Sequence, residues 1–311
     1  MPLSTDVAVL LVAHGTVENL DQIPAFLLKI RRGRPPSDSL VAEMTRRYEA
    51  IGGSPMLSVT RAQAAMLAEK LKRPVYVGMR FCRPSIEDAL EAAVSDGARR
   101  LVVLPVAPYS VALYHAEVAQ QLDRMPAEVR DRLELLAIPP YGVHPTLVRA
   151  HRDNVLLHAE EGLRRGAPLL FSAHSLPLRV IAAGDAYADE VQASARAIGD
   201  ALGYPWQLGF QSEGADGGEW LGPPLVKHVD VVAGNPSGEV VVAPIGFLCD
   251  HVETLFDLDI ELASRTSMLG LRLIRIPALG THPGLIATLA DLVTTVLSRC
   301  SDPTRIEEVV P

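Results

Sequence analysis

Short apolar runs rich in β-branched residues alternate along the chain with longer amphipathic stretches. This alternation is typical of parallel strands that are buried on both faces and joined by crossover helices. The apolar runs predict strands at 7–13, 75–78, 101–107, 133–138, 168–172, 206–211, 239–245 and 271–276. The amphipathic stretches predict helices at 38–50, 60–71, 85–96, 145–165, 189–202 and 285–298. Four strands followed by four more predict an α/β fold of two doubly wound, Rossmann-like lobes, each with a parallel four-stranded sheet.

A boundary between the lobes is predicted near residues 139–147, where PPYGVHP gathers three prolines and a glycine between periodic segments. We therefore expect an N-terminal lobe at 1–145 and a C-terminal lobe at 146–311. The pattern leaves open whether the last helix crosses back to pack on the first lobe.

Composition excludes several classes of protein. Of the 311 residues, 48% are hydrophobic and 21% charged, which excludes a disordered chain. A net charge of -8 disfavours a nucleic-acid partner. The longest apolar runs are far shorter than the ~20 residues that span a bilayer, and the MPLSTD start lacks the basic stretch of a secretory signal, so we expect a cytoplasmic protein. Cys82, Cys249 and Cys300 lack CxxC spacing, which predicts reduced thiols.

Candidate chemistry collects where the predicted strands end. Six of the eight runs lead into polar or glycine-containing segments: HGT at 14–16, MR at 79–80, PYS at 108–110, HS at 174–175, QSEG at 211–214 and DHVE at 250–253. In open parallel sheets, ligands bind outside the carboxyl ends of the strands. We therefore expect a shared cleft between the lobes.

The segment PIGFLCDHVETLFDLDIE at 244–261 carries three carboxylates at helical spacing. Glu253, Asp257 and Glu261 follow one another at i, i+4 and i+8, which places them in a row on one face of an α-helix. Like charges at this spacing repel and destabilise the helix, and a metal ion or a proton path would offset that loss of stability. A solvated acidic face is the alternative, although the apolar remainder of the segment favours a buried helix.

Histidine and arginine complete the candidate cleft. His174 directly follows a predicted buried strand; it is either a hydrogen-bonded structural residue or, if Glu253 lies close, part of an imidazole and carboxylate site that suits Fe²⁺. The first lobe supplies arginines instead, in KIRRGRPP and at 46–47, which form either a solvated basic face or a site for carboxylates. The GGSP segment at 52–55 predicts a tight turn with exposed N–H groups.

Several longer motifs resemble those of the ferrochelatases, which insert Fe²⁺ into a porphyrin in heme synthesis. They are IRRGRPP, RRYEAIGGSP, MRFCRPSIEDAL, FSAHSLP, FQSEGADGGEWLGPPL and APIGFLCDHVETLFDLDIE, in family order over nearly the whole chain. The short spacing between the first two resembles the compact bacterial forms. The resemblance implies a chelatase-like fold of two lobes and an enzyme, a metal-inserting lyase.

The resemblance also implies site residues. His174 and Glu253 match the catalytic pair that binds metal and handles protons, and Asp257 and Glu261 match the acidic row of the metal site. The residues implied to contact the porphyrin are His14, Arg31, Arg47, Tyr48, Ser54 and Tyr114. His14 stands where many compact members carry tyrosine, so it either contacts the macrocycle or ligates the product iron. Phe81 replaces a Tyr or His of some members, which excludes a metal contact there.

The expected substrates are ferrous iron and either coproporphyrin III or protoporphyrin IX, giving coproheme or heme with release of two protons. We expect no permanently bound cofactor and no [2Fe-2S] cluster, because three dispersed cysteines cannot supply Cys₄ ligation. The family implies a monomer without an integral membrane segment, and the apolar residues 24–28 at the expected cleft lip are a candidate for weak peripheral membrane contact. The alternatives are a sirohydrochlorin or cobalt chelatase of the same fold and a non-catalytic carrier of heme or porphyrin.

Overall fold

The computed structural model describes residues 6–214 and 217–300. Within them, eight strands form two four-stranded sheets in which every pairing is parallel. The strand orders are β2-β1-β3-β4 and β6-β5-β7-β8, so both lobes are doubly wound in the same way. The strands are β1 (Val7–Ala13), β2 (Val75–Met79), β3 (Arg100–Pro105), β4 (Glu134–Ala137), β5 (Leu169–His174), β6 (Trp206–Gln211), β7 (Glu239–Ala243) and β8 (Arg272–Arg275). The predicted fold class is confirmed.

Helices cover both faces of each sheet. In the first lobe they are α1 (Ile23–Ile30), α2 (Asp38–Ala50), α3 (Met56–Leu71), α4 (Ile86–Ser95), α5 (Val111–Asp123) and α6 (Ala127–Arg130). The helices that follow in the chain are α7 (Pro145–Arg164), α8 (Leu178–Ala182), α9 (Tyr187–Leu202), α10 (Leu225–Val231), α11 (Val252–Leu255), α12 (Ala263–Met268) and α13 (Pro283–Cys300). A 3₁₀ turn spans Leu20–Gln22, and a π-helical turn spans Asp257–Leu262.

The core of each lobe follows from strands that are buried on both faces. All seven residues of β1 are buried, and alternate side chains enter two different clusters. Leu10 packs with Ile86 and Leu90 of α4, whereas Leu11 faces Leu67 of α3. Because successive strand side chains point to opposite faces, such a strand must be apolar throughout, and VAVLLVA is.

The last helix packs on the first sheet. Leu285, Leu289 and Val293 of α13 are fully buried in the same cluster as Val9 and Val102 of the first sheet. Helix α7 contacts both α13 and α9, and so joins the two lobes. A division into domains at residues 145 and 146 stays a prediction.

The cysteines and a few motif residues complete the comparison with the sequence. Cys82 and Cys249 are free thiols. The side chain of Cys300 lies outside the described residues, as do residues 215–216 of the FQSEGADGGEWLGPPL motif and residues 301–311 of the predicted second lobe. Throughout 6–214 and 217–300, no helix has the length and apolar character that crossing a bilayer requires.

Candidate active site

A cavity of about 400 Å³ opens between the two lobes, at the carboxyl ends of their strands. This volume falls within the range of small-molecule sites. The segments after β1, β2 and β3 line it from the first lobe, and those after β5 and β7 line it from the second. Its polar side chains include His14, Tyr48, Arg80, Tyr114, His174, His251 and Glu253. The walls combine these groups with apolar and aromatic residues such as Phe26, Met44, Leu113 and Phe247.

His174 and Glu253 lie side by side in the second-lobe wall. His174 ends β5, and Glu253 lies in α11, which begins after β7. The His174 Nδ1 atom is 3.1 Å from Glu253 Oε2, an ion-pair distance without the alignment of a hydrogen bond. The Tyr187 hydroxyl donates to the His174 carbonyl at 2.8 Å, which holds the end of the strand. The structure thus brings together the two residues that were predicted as a pair.

His174 and Glu253 each shift the pKa of the other. Burial lowers the pKa of His174, but the neighbouring Glu253 carboxylate outweighs burial, so the pKa lies above its usual 6.5. Burial raises the pKa of Glu253, yet His174 and His251 together hold it well below its usual range. The His174 imidazole therefore holds a proton more tightly than a free imidazole does, beside a Glu253 carboxylate that stays ionised.

The segment that carries Glu253 is fixed from several sides. The Gln211 amide at the end of β6 donates to the Glu253 carbonyl at 2.7 Å. The Arg275 guanidinium at the end of β8 donates to Asp250 at 2.7 Å and, through two nitrogens, to Asp259 at 2.7 and 2.6 Å. Arg275 thereby ties the residues before α11 to the π-helical turn after it. These contacts hold Glu253 on rigid structure rather than on a free loop.

The predicted acidic row does not lie on one regular α-helix, because α11 ends at Leu255 and the chain widens into the π-helical turn. The three carboxylates stay neighbours, since the charges of Glu253 and Glu261 both act on Asp257, and Arg47 contacts Asp257 and Glu261. The Glu261 N–H donates to the Phe256 carbonyl at 3.0 Å, five residues back, which is the π pattern. Glu253 turns to His174, whereas Asp257 accepts hydrogen bonds from Ser212 and Arg47.

Arg47 supplies the cation that offsets the acidic repulsion. Its guanidinium donates to Asp257 at 2.9 Å and lies 3.7 Å from Glu261, while its Nε donates to Glu43 at 2.7 Å. Burial raises the pKa of Asp257 to about 6, with Ser212 and Arg47 acting against that rise and Glu253 adding to it. In this structure Arg47 joins α2 to the second lobe and does not line the cavity.

His14 faces the cavity from the first-lobe wall. Its ring packs edge-on against Phe81, with centroids 4.7 Å apart. The ring is open to the cavity but enclosed by protein on other sides, and this desolvation lowers the pKa of His14 to about 4. Glu253 acts against the decrease, whereas Arg80 adds to it. His14 is therefore a neutral imidazole at neutral pH, as ligation of a metal requires.

Gly15 allows this placement of His14. Gly15 has a φ of +103°, and a Cβ there would lie 2.9 Å from the Cys82 Sγ atom. The Thr16 N–H donates to that sulfur at 3.4 Å, and the Phe81 N–H donates to the His14 carbonyl at 3.2 Å. The turn after β1 is thus packed tightly against the turn after β2.

The remaining predicted porphyrin contacts divide into two groups. Tyr48 and Tyr114 line the cavity, and the Tyr48 hydroxyl lies 2.9 Å from the Thr16 hydroxyl. Arg31 follows α1, one residue beyond the cavity-lining Ile30, and Ser54 lies in the turn before α3; neither lines the cavity. Their roles stay predictions, as do those of His174, Glu253, Asp257 and Glu261.

Sequence reasoning missed Arg80, His251, Tyr109 and Tyr187, which all line the cavity. Arg80, Tyr109 and His251 lie in strand-end segments that were singled out, so position was a usable signal. The His251 Nε2 atom is 3.5 Å from Glu253 Oε2, which makes His251 a second neighbour of that carboxylate. In the described ranges, no three His, Cys, Asp or Glu side chains are grouped to hold a metal ion.

Comparison with known proteins first defines the class. The fold is similar to that of the sirohydrochlorin chelatase SirB from Bacillus subtilis subspecies spizizenii, solved in complex with cobalt. The TM-score is 0.56 over 95% of this chain and 97% of that one, at 14% sequence identity, a likeness in fold alone. The two doubly wound lobes around the cavity thus have a chelatase-like fold.

Sequence comparison then gives the family. The ferrochelatase family model matches residues 6–297, and this chain belongs to the ferrochelatase family. It is 36% identical to a ferrochelatase of Deinococcus radiodurans, over 92% of this chain and 94% of that protein. It is 32% identical to a coproporphyrin III ferrochelatase of Anoxybacillus flavithermus, over 93% of this chain and 96% of that protein.

Proposed function

We propose that this protein inserts Fe²⁺ into a porphyrin, coproporphyrin III or protoporphyrin IX, and releases two protons. The observation that carries the proposal is the His174 and Glu253 pair, 3.1 Å apart in the wall of an interlobe cavity, in a member of the ferrochelatase family. Fe²⁺ is here a substrate. The reaction belongs to the lyase class and to heme synthesis.

In this mechanism His174 accepts a pyrrole proton. Its Nδ1 is turned to Glu253, which leaves Nε2 as the nitrogen available to the substrate. Glu253 stabilises the imidazolium that forms, and the resulting rise in the pKa of His174 makes the imidazole a stronger base. His14, held neutral on the opposite wall, contacts the other face of the macrocycle.

The walls are suited to hold the macrocycle while the proton moves. Apolar surface is offered by Phe26, Met44, Leu113 and Phe247. The phenylalanine rings among them can stack on a flat aromatic ligand. Binding energy from these remote contacts offsets the strain of a distorted macrocycle. Substrate strain of this kind amounts to roughly 1–5 kcal/mol in other enzymes.

We further propose a cytoplasmic monomer without a bound cofactor or [2Fe-2S] cluster, in which Asp257 and Glu261 lie on the route of metal or protons. Contact with a membrane surface by residues 24–28 is weak in this proposal. Phe26 and Leu27 are buried against Tyr48, whereas Leu28 is exposed.

The test is anaerobic Fe²⁺ insertion into coproporphyrin III and protoporphyrin IX side by side, measured as loss of free-base absorbance. Metallation of either porphyrin by the wild type, and of neither by His174→Ala, is the expected result. Binding of both porphyrins without metallation would contradict the proposal and indicate a carrier. Metallation of sirohydrochlorin alone would indicate the other chelatase activity.

A further inference from the structure

Arg80 is the cation of the cavity. Among the described residues that line the cavity, it is the one lysine or arginine. It directly follows β2, and its N–H donates to the Ala13 carbonyl at 3.0 Å, which fixes its backbone to the end of β1. The arginine-rich motifs that suggested anion binding lie elsewhere, around residues 31–34 and 46–47.

The protein satisfies the Arg80 guanidinium only in part, through the Tyr114 hydroxyl, which accepts from it. Its side chain is 14% exposed, and its Nε is buried without a hydrogen-bond partner in the described part of the chain. Glu117 Oε2 lies 3.7 Å from Arg80 Nη2, beyond hydrogen-bond distance, and the other Glu117 oxygen already accepts from Gln121 at 2.7 Å. A buried charge of this kind is costly unless a partner completes it.

Aromatic rings orient the guanidinium and separate it from α1. The Arg80 Cζ atom lies 4.9 Å from the Phe81 ring centroid and 5.0 Å from that of Tyr114 in α5. Phe81 also contacts the Phe26 ring of α1, at 6.5 Å. Phe81 thus separates two sides of the cavity. Arg80 lies on the α5 side, and α1, whose last residue precedes Arg31, lies on the other.

We propose that Arg80 binds a porphyrin carboxylate on the α5 side of the cavity and thereby makes the protein favour coproporphyrin III over protoporphyrin IX. Coproporphyrin III carries a propionate on every pyrrole ring, whereas protoporphyrin IX carries propionates only on adjacent rings. A protoporphyrin IX molecule that directs both of its propionates to the α1 side has no carboxylate left for Arg80. The planar fork of arginine matches a carboxylate with two parallel hydrogen bonds. This inference rests on the proposed function, because it takes a porphyrin as the ligand.

The experiment compares dissociation constants for the two porphyrins, measured by fluorescence quenching without iron. The variants are Arg80→Gln, which removes the charge, and Arg80→Lys, which keeps the charge and loses the fork. Arg83→Gln is the matched control, because Arg83 lies in the same loop, is 85% exposed and does not line the cavity. Thermal melting checks that each variant is folded.

Arg80→Gln should weaken coproporphyrin III binding by about tenfold or more, the scale of a charge-assisted hydrogen bond. Protoporphyrin IX binding should change by less than about twofold, which is small on the same scale. Arg80→Lys should fall between the wild type and Arg80→Gln, and Arg83→Gln should match the wild type. Should Arg80→Gln fail to fold, the selective loss for coproporphyrin III in Arg80→Lys decides the question.

Equal losses for both porphyrins, or no loss for either, would overturn the inference. Because binding is measured without metal, this outcome is separate from the fate of the proposed function. A wild type that binds porphyrin but never metallates it refutes the proposed function and leaves the binding comparison standing. Normal metallation with an unchanged ratio of dissociation constants refutes the role of Arg80 alone.

Discussion

The two walls of the cavity each present a histidine, and the surroundings give the two rings opposite properties. His174 on the second-lobe wall has a carboxylate 3.1 Å away, which raises its pKa above 6.5. His14 on the first-lobe wall is desolvated beside Arg80, and its pKa falls to about 4. His14 directly follows the central strand β1, His174 ends the central strand β5, and both line the same cavity. The difference teaches that a neighbouring charge, rather than position in the fold, decides which histidine can exchange protons near neutral pH.

The largest expected effect is on turnover. His174→Ala should lower kcat by about 10²- to 10⁴-fold, the usual contribution of a general base, while porphyrin binding stays nearly intact. His14→Ala should lower kcat much less, because His14 is not the base. Anaerobic Fe²⁺ insertion and fluorescence titration measure the two quantities.

His158→Ala is the control for this pair, since His158 is exposed on α7 and lies away from the cavity. Equal losses of kcat in His14→Ala and His174→Ala would remove the distinction between the walls.

The second effect concerns the support of the second-lobe wall. Arg275→Met should destabilise the protein by about 2 kcal/mol, because it removes charge-assisted hydrogen bonds to the half-buried Asp250 and the more exposed Asp259. It should also lower kcat, since the Glu253 segment loses its clamp. Urea denaturation and steady-state kinetics at a temperature where the variant is folded give both values.

Arg272→Met is the matched control on the same strand. Arg272 pairs with Glu239, which keeps Arg165 as a second partner and lies outside the cavity-lining set. Its kcat should equal that of the wild type. A kcat that stays unchanged in Arg275→Met as well would show that the clamp serves stability alone.

The third effect is a change in pH dependence. If His174 acts as the base, activity rises as pH increases through its raised pKa. Glu253→Gln removes the largest cause that raises the pKa of His174, so the rising limb of the pH profile should move to lower pH. The variant should also lower kcat about tenfold, which is part of the general-base contribution. The pH profile of kcat measures the shift. Glu261→Gln, in an exposed residue paired with Arg47, should leave the limb in place.

The smallest effect is on stability, and here the two histidines should differ in sign. His14 has a lowered pKa in the folded state, so its contribution is present above pH 6.5 and is lost as pH falls towards about 4. His174 has a raised pKa, so its contribution is present below pH 6.5 and is lost as pH rises through the raised pKa of the folded state. His14→Phe should therefore lose less stability than the wild type on acidification, by about 1 kcal/mol after allowance for exposure.

His174→Phe should show the opposite slope. Urea denaturation at pH 7 and pH 5 measures both variants. Parallel slopes for the two variants would contradict the assignment of opposite pKa shifts.

Much of the fold could be predicted from local pattern. The strand at Val7–Ala13 and the helix at Asp38–Ala50 have the predicted bounds, because one is apolar throughout and the other is strongly amphipathic. Helices α1, α5, α6, α8, α10 and α12 were not predicted. The lobe count followed from the alternation of runs, which needs no knowledge of long-range contacts.

The site was less accessible from the sequence, for a physical reason. The spacing of Glu253, Asp257 and Glu261 was interpreted with an α-helical period, and nothing local signals the π-helical turn that carries Asp257 and Glu261. The contact of Arg47 with Asp257 joins α2 to the second lobe, and a single sequence carries no sign of such a pairing. Arg80 was visible at a strand end, but neither its burial nor its unpartnered Nε can be derived from its neighbours in the chain.

The packing of α13 on the first sheet has a consequence for synthesis on the ribosome. The face of that sheet that carries Val9 and Val102 is covered in part by Leu285, Leu289 and Val293, which are translated after the whole second sheet. Proteins emerge from the ribosome amino end first, and exposed apolar surface on a nascent chain invites aggregation. The first lobe therefore waits for nearly the last part of the chain, and a stalled or truncated product that ends before α13 should be captured by chaperones with that face still bare.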